Sequence, residues 1–533
     1  MDWLLLSGFC GFLFFFGLAY FGLVGADEPR YAQVAREMLA RHDWITPTLG
    51  GKPWLEKPAL YYWQTMLAYS VFGVSDWAAR LPSAVDATLM VVAIYLFLRR
   101  FRPGFQLDGA LMAASASGVI GFARAASMDM PLAATFIIAM LAWYAWYESA
   151  SRRYLALFYT FLGLAMLAKG PVAPFLGAAI VVIFASAKGD YRLTVRTCWV
   201  PGIALFLLTT LPWYTAVQLK NPEFFRVFIL EHNLQRFGKD LYHHTQPFWY
   251  YLPVLLLGLV PWTIFVIAAL AESIRAWWRE KSAILQSEDA LPVFLVIWLM
   301  VPVVFFSFSA SKLPGYILLA LPAGTLLLAE YVRRHVLDPV ADADRPRLLL
   351  IVLHSVVASL TVVAALMMQY IVFHHGLPWG RATAISAGFA AVLAIGITLT
   401  LRRPSGLRVL RFVTFVPVVL GVGAALRLGA PSLDATLSAR PLAQEINHVD
   451  NRSLPLAILR LSRETEYGLT FYRDQKTLRY EAGEVPAGEH LLITPEGWQK
   501  NIAKWTPGRR VTYVGSFAEQ GMDYYWVAGK DSN

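Results

Sequence analysis

The sequence predicts an all-α polytopic membrane protein that ends in a small α/β segment. Three observations predict it. Hydrophobic residues make up 57% of the 533 and charged residues only 15%, where a soluble globular chain carries about 25% charge. Apolar runs of membrane-spanning length recur from residue 3 to residue 427. From Ala430 onward charge rises, the apolar runs shorten, and strand and helix patterns alternate.

A span needs ~20 mainly apolar residues, and about thirteen candidates meet that rule. They lie near 3–24, 81–99, 107–122, 130–148, 154–168, 170–187, 197–218, 248–272, 290–309, 314–332, 347–373, 380–401 and 409–427. The first run is too long for the core of a signal peptide and has no basic lead, so it reads as a retained helix. Basic residues sort the loops. One set carries Arg99, Arg100 and Arg102, Arg152 and Arg153, Lys188, Arg192 and Arg196, and further arginines near 275, 333 and 402. The intervening short loops carry little beyond Arg124, Lys169, Lys312 and Arg381. The rich set is expected to be cytoplasmic, together with the N-terminus. Loop 25–80, loop 219–247 and the tail then face outward.

The net charge of +10 does not imply nucleic acid, because the basic residues punctuate apolar segments and form no basic face. The two cysteines, Cys10 and Cys198, suggest neither a disulfide framework nor a zinc site.

Two domains are expected. Residues 1–429 form the membrane domain and 430–533 a periplasmic α/β domain. Within the first, loop 27–80 begins with Ala26-Asp27-Glu28-Pro29-Arg30-Tyr31. Asp27 suits an N-cap and Pro29 the first turn. Tyr31, Val34, Ala35, Met38 and Leu39 recur at helical spacing, with charged residues around the other side, which predicts an amphipathic interfacial helix. Gly50-Gly51-Lys52-Pro53 reads as a turn, and the aromatic stretch 58–72 as a second interfacial helix. In the tail, 455–461, 476–480, 490–493, 510–514 and 524–527 read as strands, and 441–448 and 497–505 as helices.

Ionisable residues beside apolar spans cost energy to bury and mark candidate sites. The outward set comprises Asp27, Glu28, Arg30, Glu56, Lys57, Arg124, Asp129, Lys169, Arg236, His243, His244 and Lys312. Asp27 and Asp129 each precede a helix with proline close behind, so capping is one reading and proton acceptance another. Glu56-Lys57-Pro58 reads as a local ion pair or as a phosphate contact beside a metal-holding carboxylate. Lys169 and Lys312 stand on tight apolar turns, where they snorkel to headgroups or meet a lipid phosphate. The adjacent His243 and His244 need a carboxylate such as Glu56 to complete a metal site. Acids plus cations beside lipid suit transfer of a group from a lipid phosphate: cations stabilise the leaving phosphate and a carboxylate takes the proton of an incoming hydroxyl. No P-loop, dinucleotide fingerprint or hydrolase elbow is apparent, so no nucleotide cofactor is expected.

Asp27-Glu28-Pro29-Arg30-Tyr31, Glu37-Met38-Leu39-Ala40, Asp43-Trp44, and Glu56-Lys57-Pro58 with Tyr62-Trp63 closely resemble the first outward loop of bacterial aminoarabinose transferases. These are GT-C-fold relatives of the protein O-mannosyltransferases, and the likeness covers roughly residues 1–330. It implies a GT-C fold and inverting sugar transfer from undecaprenyl phosphate at the periplasmic face. It implies that Asp27 and Asp129 are the key acids and that Lys57 lies by the donor phosphate. From their outward placement, Glu28, Arg30, Arg124, Lys169, Arg236 and Lys312 are expected to contact substrate as well. A divalent metal, zinc or magnesium, is associated in some members with positions matching Glu56 and His243 or His244. The sugar stays open between 4-amino-4-deoxy-L-arabinose and others. The acceptor stays open between lipid A, another envelope glycolipid and protein. A lipid or sugar-lipid transporter without chemistry is the competing class, although no internal repeat favours it.

Overall fold

The structure is a computed structural model and describes residues 1–235, 246–279, 290–337, 348–373, 379–403, 405–449 and 454–530. Helices dominate up to residue 449. They are α1 (Asp2–Cys10), α2 (Asp27–Ala40), α3 (Leu60–Phe72), α4 (Asp76–Phe101), α5 (Gln106–Ala114), α6 (Ser117–Ala123), α7 (Asp129–Ser149), α8 (Arg152–Lys169), α9 (Val172–Lys188), α10 (Tyr191–Thr197) and α11 (Val200–Lys220). After a π-helical run, Phe225–Gln235, come α12 (Tyr251–Gly258), α13 (Thr263–Arg279), α14 (Leu291–Ser307), α15 (Leu321–Leu337), α16 (Leu348–Phe373), α17 (Trp379–Leu401), α18 (Gly406–Ala424), α19 (Ala430–Leu437) and α20 (Arg440–Val449).

Every apolar run read from the sequence contains helix, but the span count differs from thirteen. Among the described residues six helices are long and apolar enough to cross a membrane, or seven if the pair at Phe248–Gly258 and Thr263–Arg279, bent by 116°, is one span. Among the rest, α5 and α6 divide the run at 107–122, and α9 and α14 are apolar but short. A helix packed among other helices does not need the full apolar length of an isolated span.

The run at 3–24 is a second difference. It is helical only to Phe15; Phe16 is extended and Gly17 takes φ +68°. The stretch that follows exposes backbone carbonyls that no helix satisfies. Arg80, fully buried in α4, takes three of them: its Nη1 donates to Leu18 O at 2.7 Å and Phe21 O at 2.8 Å, and its Nη2 to Gly22 O at 2.8 Å.

Both helices expected in loop 27–80 form, as α2 and α3. Tyr31, Ala32, Val34, Ala35 and Met38 of α2 are buried against Tyr61, Tyr62 and Met66 of α3. Each large apolar side chain so buried contributes about 1.5–3 kcal/mol. Between them, Gly50 (φ 60°) and Gly51 (φ 75°) turn a two-stranded hairpin, β1 (Thr48–Leu49) and β2 (Lys52–Pro53). Both glycines adopt the left-handed backbone that a tight hairpin turn requires. Glu37 ties this turn to α2, accepting from Gly50 N at 2.8 Å and Gly51 N at 3.1 Å.

The other face of α2 is not open to an aqueous interface. It is covered by α21 (Arg463–Arg473) of the C-terminal segment. Arg36 donates to Phe471 O at 2.9 Å and pairs with Asp474 at 2.8 Å.

The C-terminal segment holds a five-stranded sheet of β3 (Leu456–Ile458), β4 (Leu478–Arg479), β5 (His490–Pro495), β6 (Val511–Phe517) and β7 (Met522–Val527), in the order β4-β3-β5-β7-β6. β3 is parallel to β4 and β5; β5, β7 and β6 pair antiparallel. Leu456 and Ile458 face one cluster with Leu442 and Leu469, whereas Ala457 and Leu459 face another with Tyr480 and Ile502. Helices α20 and α21 thus cover one face and α22 (Gln499–Trp505) the other. All five strand runs and the helices near 441 and 499 were legible in the sequence; α21 was not.

Candidate active site

Neither aspartate caps its helix. α2 starts at Asp27 and α7 at Asp129, and the residues before them, Ala26 and Met128, make no side-chain cap. This corrects the capping reading. Both carboxylates are placed in the first turn, where the helix dipole favours negative charge, and both meet a cation. Asp27 pairs with Arg30, and its side chain remains half exposed. Asp129 pairs with Lys169, and both side chains are largely covered.

Tyr31 lies under the influence of both acids. Burial, then Asp27, then Asp129 push its phenol above the usual tyrosine range, against the pull of Arg30. It therefore stays a neutral O–H. Arg30 Nη2 contacts the Tyr31 hydroxyl at 3.4 Å. The Arg30 guanidinium also sits 5.1 Å from the ring centroid of Trp54 and 5.7 Å from that of Tyr467, which comes from α21. Three buried donors around this point have no protein partner: Arg30 Nε, Trp54 Nε1 and the Tyr62 hydroxyl. Buried donors left unpaired are costly and mark a place for a ligand's acceptors.

The Asp129 side is shaped by the turn before Pro314–Leu319. Lys169 Nζ lies 5.0 Å from the Tyr316 ring centroid. A Cβ at Gly315 would stand 2.5 Å from Asp129 Oδ1, so only glycine lets this turn approach the carboxylate. Lys312 on the same turn folds back, donating to Ser309 O at 2.6 Å, and is buried.

Two residues expected at the substrate turn into the protein instead. Glu28 accepts from Val24 N at 2.9 Å, Ala126 N at 2.7 Å, and Arg80 Nε and Nη2 at 3.2 and 2.6 Å. Its oxygens are spent on fold, which corrects the substrate-binding expectation. Arg124 donates from Nη1 to Leu13 O at 3.1 Å, with Nη2 buried and unpartnered. Burial, with Arg80 nearby, pulls its pKa down to about 10.

Glu56 lies 3.7 Å from His232 Nε2, and Lys57 is half buried beside it before α3. Sequence reasoning did not single out His232. His243, His244 and Arg236 lie outside the described residues. Among the described residues no group of three His, Cys, Asp or Glu is placed to hold a metal. Glu56 and His232 supply two of the three protein ligands of a catalytic zinc site.

Sequence reasoning also missed Arg80, Trp54, Tyr467 and Gly315. Arg80 carried a signal, a lone charge entering an apolar run. Tyr467 carried none, because it reaches the site from more than four hundred residues away.

With this geometry in view, comparison with known proteins is informative. The model of the dolichyl-phosphate-mannose-protein mannosyltransferase family matches residues 56–215. The undecaprenyl phosphate-alpha-4-amino-4-deoxy-L-arabinose arabinosyl transferase of Pseudomonas aeruginosa (strain UCBPP-PA14) is 32% identical over 335 residues, 62% of this chain and 59% of that protein. The corresponding protein of Erwinia tasmaniensis is 29% identical over 84% of this chain and 79% of its own. The crystal structure of ArnT from Cupriavidus metallidurans bound to undecaprenyl phosphate superposes with a TM-score of 0.76, covering 98% of this chain and 97% of that one at 21% identity. The chain is similar in sequence to these aminoarabinose transferases and has the fold of ArnT. A more distant likeness, TM-score 0.52 at 11% identity, links it to the oligosaccharyltransferase AglB from Archaeoglobus fulgidus. The alignments to the first curated relatives span about three fifths of those proteins' length, 58–59%.

Proposed function

We propose that this chain is an inner-membrane glycosyltransferase that moves a sugar from undecaprenyl phosphate to lipid A or a related envelope acceptor on the periplasmic side. The observation that carries the reading is the pair of first-turn carboxylates, Asp27 with Arg30 and Asp129 with Lys169, both close enough to act on Tyr31. The activity for which the relatives are named supports the donor, and 4-amino-4-deoxy-L-arabinose is the sugar in those names. The C-terminal sheet is the periplasmic domain in this reading.

The transfer is a displacement at the anomeric carbon with inversion. The bond to the undecaprenyl phosphate oxygen breaks as the acceptor oxygen bonds. Arg30 and Lys57 hold the departing phosphate, whose charge grows in the transition state. With a hydroxyl acceptor, Asp27 takes the proton. With a phosphate acceptor the nucleophile is already anionic, and Asp27 orients it. Lys169 pairs with Asp129 and fixes its carboxylate, so that Asp129 steers the sugar.

The test uses purified protein with synthetic undecaprenyl-phosphate sugars and envelope acceptors, read by lipid mass spectrometry. Asp27→Asn should abolish product while leaving expression intact, and full turnover by that variant would sink the assignment. Lys57→Ala should weaken donor use.

A further inference from the structure

The parallel part of the C-terminal sheet makes a second place for an anion. β3 has a parallel neighbour on each side. The chain leaves β3 through α21 to reach β4 on one side and later returns to β5 on the other. Sheets of this kind bind ligands beyond the carboxyl ends of the strands, where the strand order reverses. That position is occupied here by a cavity of about 390 Å³ whose charged lining is Arg460, Arg463, Arg479 and Glu481. Three guanidiniums meet Glu481 in the lining, and one of them, Arg479, is paired with Glu466.

The lining is built into the fold. Arg460 takes a left-handed backbone, φ 59°, uncommon for a residue with a side chain. Its N–H donates to Glu481, which occupies part of the single acid in the lining. Its guanidinium rests 6.0 Å from the Trp498 ring centroid. Arg479 is held by buried Glu466 through Nε at 2.8 Å and through Nη2. Arg463 opens α21, whose preceding Ser462 accepts from Thr465 N.

Position matters as much as charge. Tyr467 lies four residues after Arg463, about 6 Å along the same helix face, and it covers Arg30 of the acid-and-cation site. One helix therefore borders both the arginine crevice and the proposed transfer centre.

We propose that this crevice binds the phosphomonoester of the acceptor glycolipid and so docks the acceptor beside Asp27. The inference rests on the transfer reading above. A phosphodiester such as the sugar-linked donor carries one negative charge. A phosphomonoester carries about −1.5 to −2 at neutral pH and presents oxygens that match the planar fork of arginine. Arg460 and Arg463, whose guanidiniums are not taken up by Glu466 as that of Arg479 is, suit the monoester.

The test compares the full chain in nanodiscs with the double variant Arg460→Ala/Arg463→Ala. Arg479 is left in place because it holds Glu466. Three quantities are read: affinity for soluble glucosamine 6-phosphate, affinity for a phosphomonoester glycolipid in the nanodisc, and the KM values for acceptor and donor. The expected result is a tenfold or larger loss of glycolipid affinity and rise in acceptor KM, with donor KM and thermal unfolding unchanged. The double variant Arg460→Lys/Arg463→Lys should recover part of the loss. Unchanged glycolipid affinity and acceptor KM would overturn the proposal. So would equal wild-type affinity for glucosamine 6-phosphate and the glycolipid, which assigns the crevice to a free sugar phosphate. A wild-type chain that binds the glycolipid through these arginines but transfers no sugar would end the transfer reading and support the crevice.

Discussion

Glu28 and Arg80 form a buried ion pair, Nη2 to Oε2 2.6 Å, that joins four stretches of chain. Arg80 uses all five of its N–H donors, two on Glu28 and three on the carbonyls of Leu18, Phe21 and Gly22. Glu28 in turn grips Ala126, three residues before Asp129. The residue next to one acid thus holds the loop that leads to the other, and the spacing of the two acids is a property of this pair.

Arg80→Ala should therefore be among the most destabilising single changes. It strands a buried carboxylate and three carbonyls, and breaking a buried pair from one side costs about 3–5 kcal/mol. Thermal unfolding of the detergent-solubilised chain checks it. A melting temperature equal to wild type would show that the pair does not hold the loop.

Gly315→Ala tests the Asp129 side. The new methyl would stand 2.5 Å from Asp129 Oδ1, so either the turn or the carboxylate must move. The expected outcome is a tenfold or greater fall in turnover. The melting temperature should drop by only a few degrees, since overpacking costs about 1–3 kcal/mol. Loss of fold without any soluble, active fraction would place Gly315 in the core instead.

How much of this was legible depended on range along the chain. The helix after Asp27, the Gly50-Gly51 turn and the five tail strands follow from local periodicity and turn residues, and they were readable. Asp27 and Asp129 stood out because carboxylates beside apolar runs are rare. Glu28 looked equally functional from sequence, since its partner Arg80 is 52 residues away and the pairing is invisible to any local pattern. Helix α21 was hidden by Gly468, which breaks the helical signal for a packing reason: a Cβ there would lie 2.5 Å from Ala439 Cβ. The first span failed for a related reason, because a uniformly apolar run does not reveal that it unwinds after Phe15 to give its carbonyls to Arg80.

His490 gives the C-terminal sheet a pH dependence. It is buried, with Nε2 2.5 Å from the Tyr480 hydroxyl and Nδ1 2.9 Å from Gly488 O. Burial, with Arg509 adding repulsion, holds its imidazole below the usual histidine value, so the fold keeps it neutral. The unfolded chain takes up a proton near pH 6.5 and the folded chain does not. Stability is therefore full above about pH 6.5 and is lost as pH falls toward the depressed native value. His490→Gln should flatten this term. Between pH 7.5 and 5.5 the wild type should lose more melting temperature than the variant, and equal losses would exclude His490 as the source.

Arg440 seats the C-terminal sheet on the membrane helices. Its Nη1 reaches Asp76 of α4 at 2.9 Å and Ala19 O at 3.1 Å, and its Nη2 reaches Asp434 at 2.7 Å. Asp76 also accepts from the Tyr472 hydroxyl at 2.7 Å, which itself accepts from Leu23 N at 2.6 Å. Removing the guanidinium leaves two carboxylates facing each other across the seam, and each lost charged hydrogen bond is worth about 1.5–3 kcal/mol. Arg440→Ala should therefore loosen α20 and α21 without melting the helices below them. Hydrogen exchange across 440–449 and 463–473 should quicken while exchange in α7 stays at its wild-type rate. Transfer should fall with it, because Tyr467 and the arginine crevice ride on the loosened helix. Arg440→Lys should recover only part of the loss, since one ammonium cannot bridge both aspartates as the fork does. Unchanged exchange in α21 would mean that the sheet is held by its contacts with α2, the Arg36 bonds to Phe471 O and Asp474 among them.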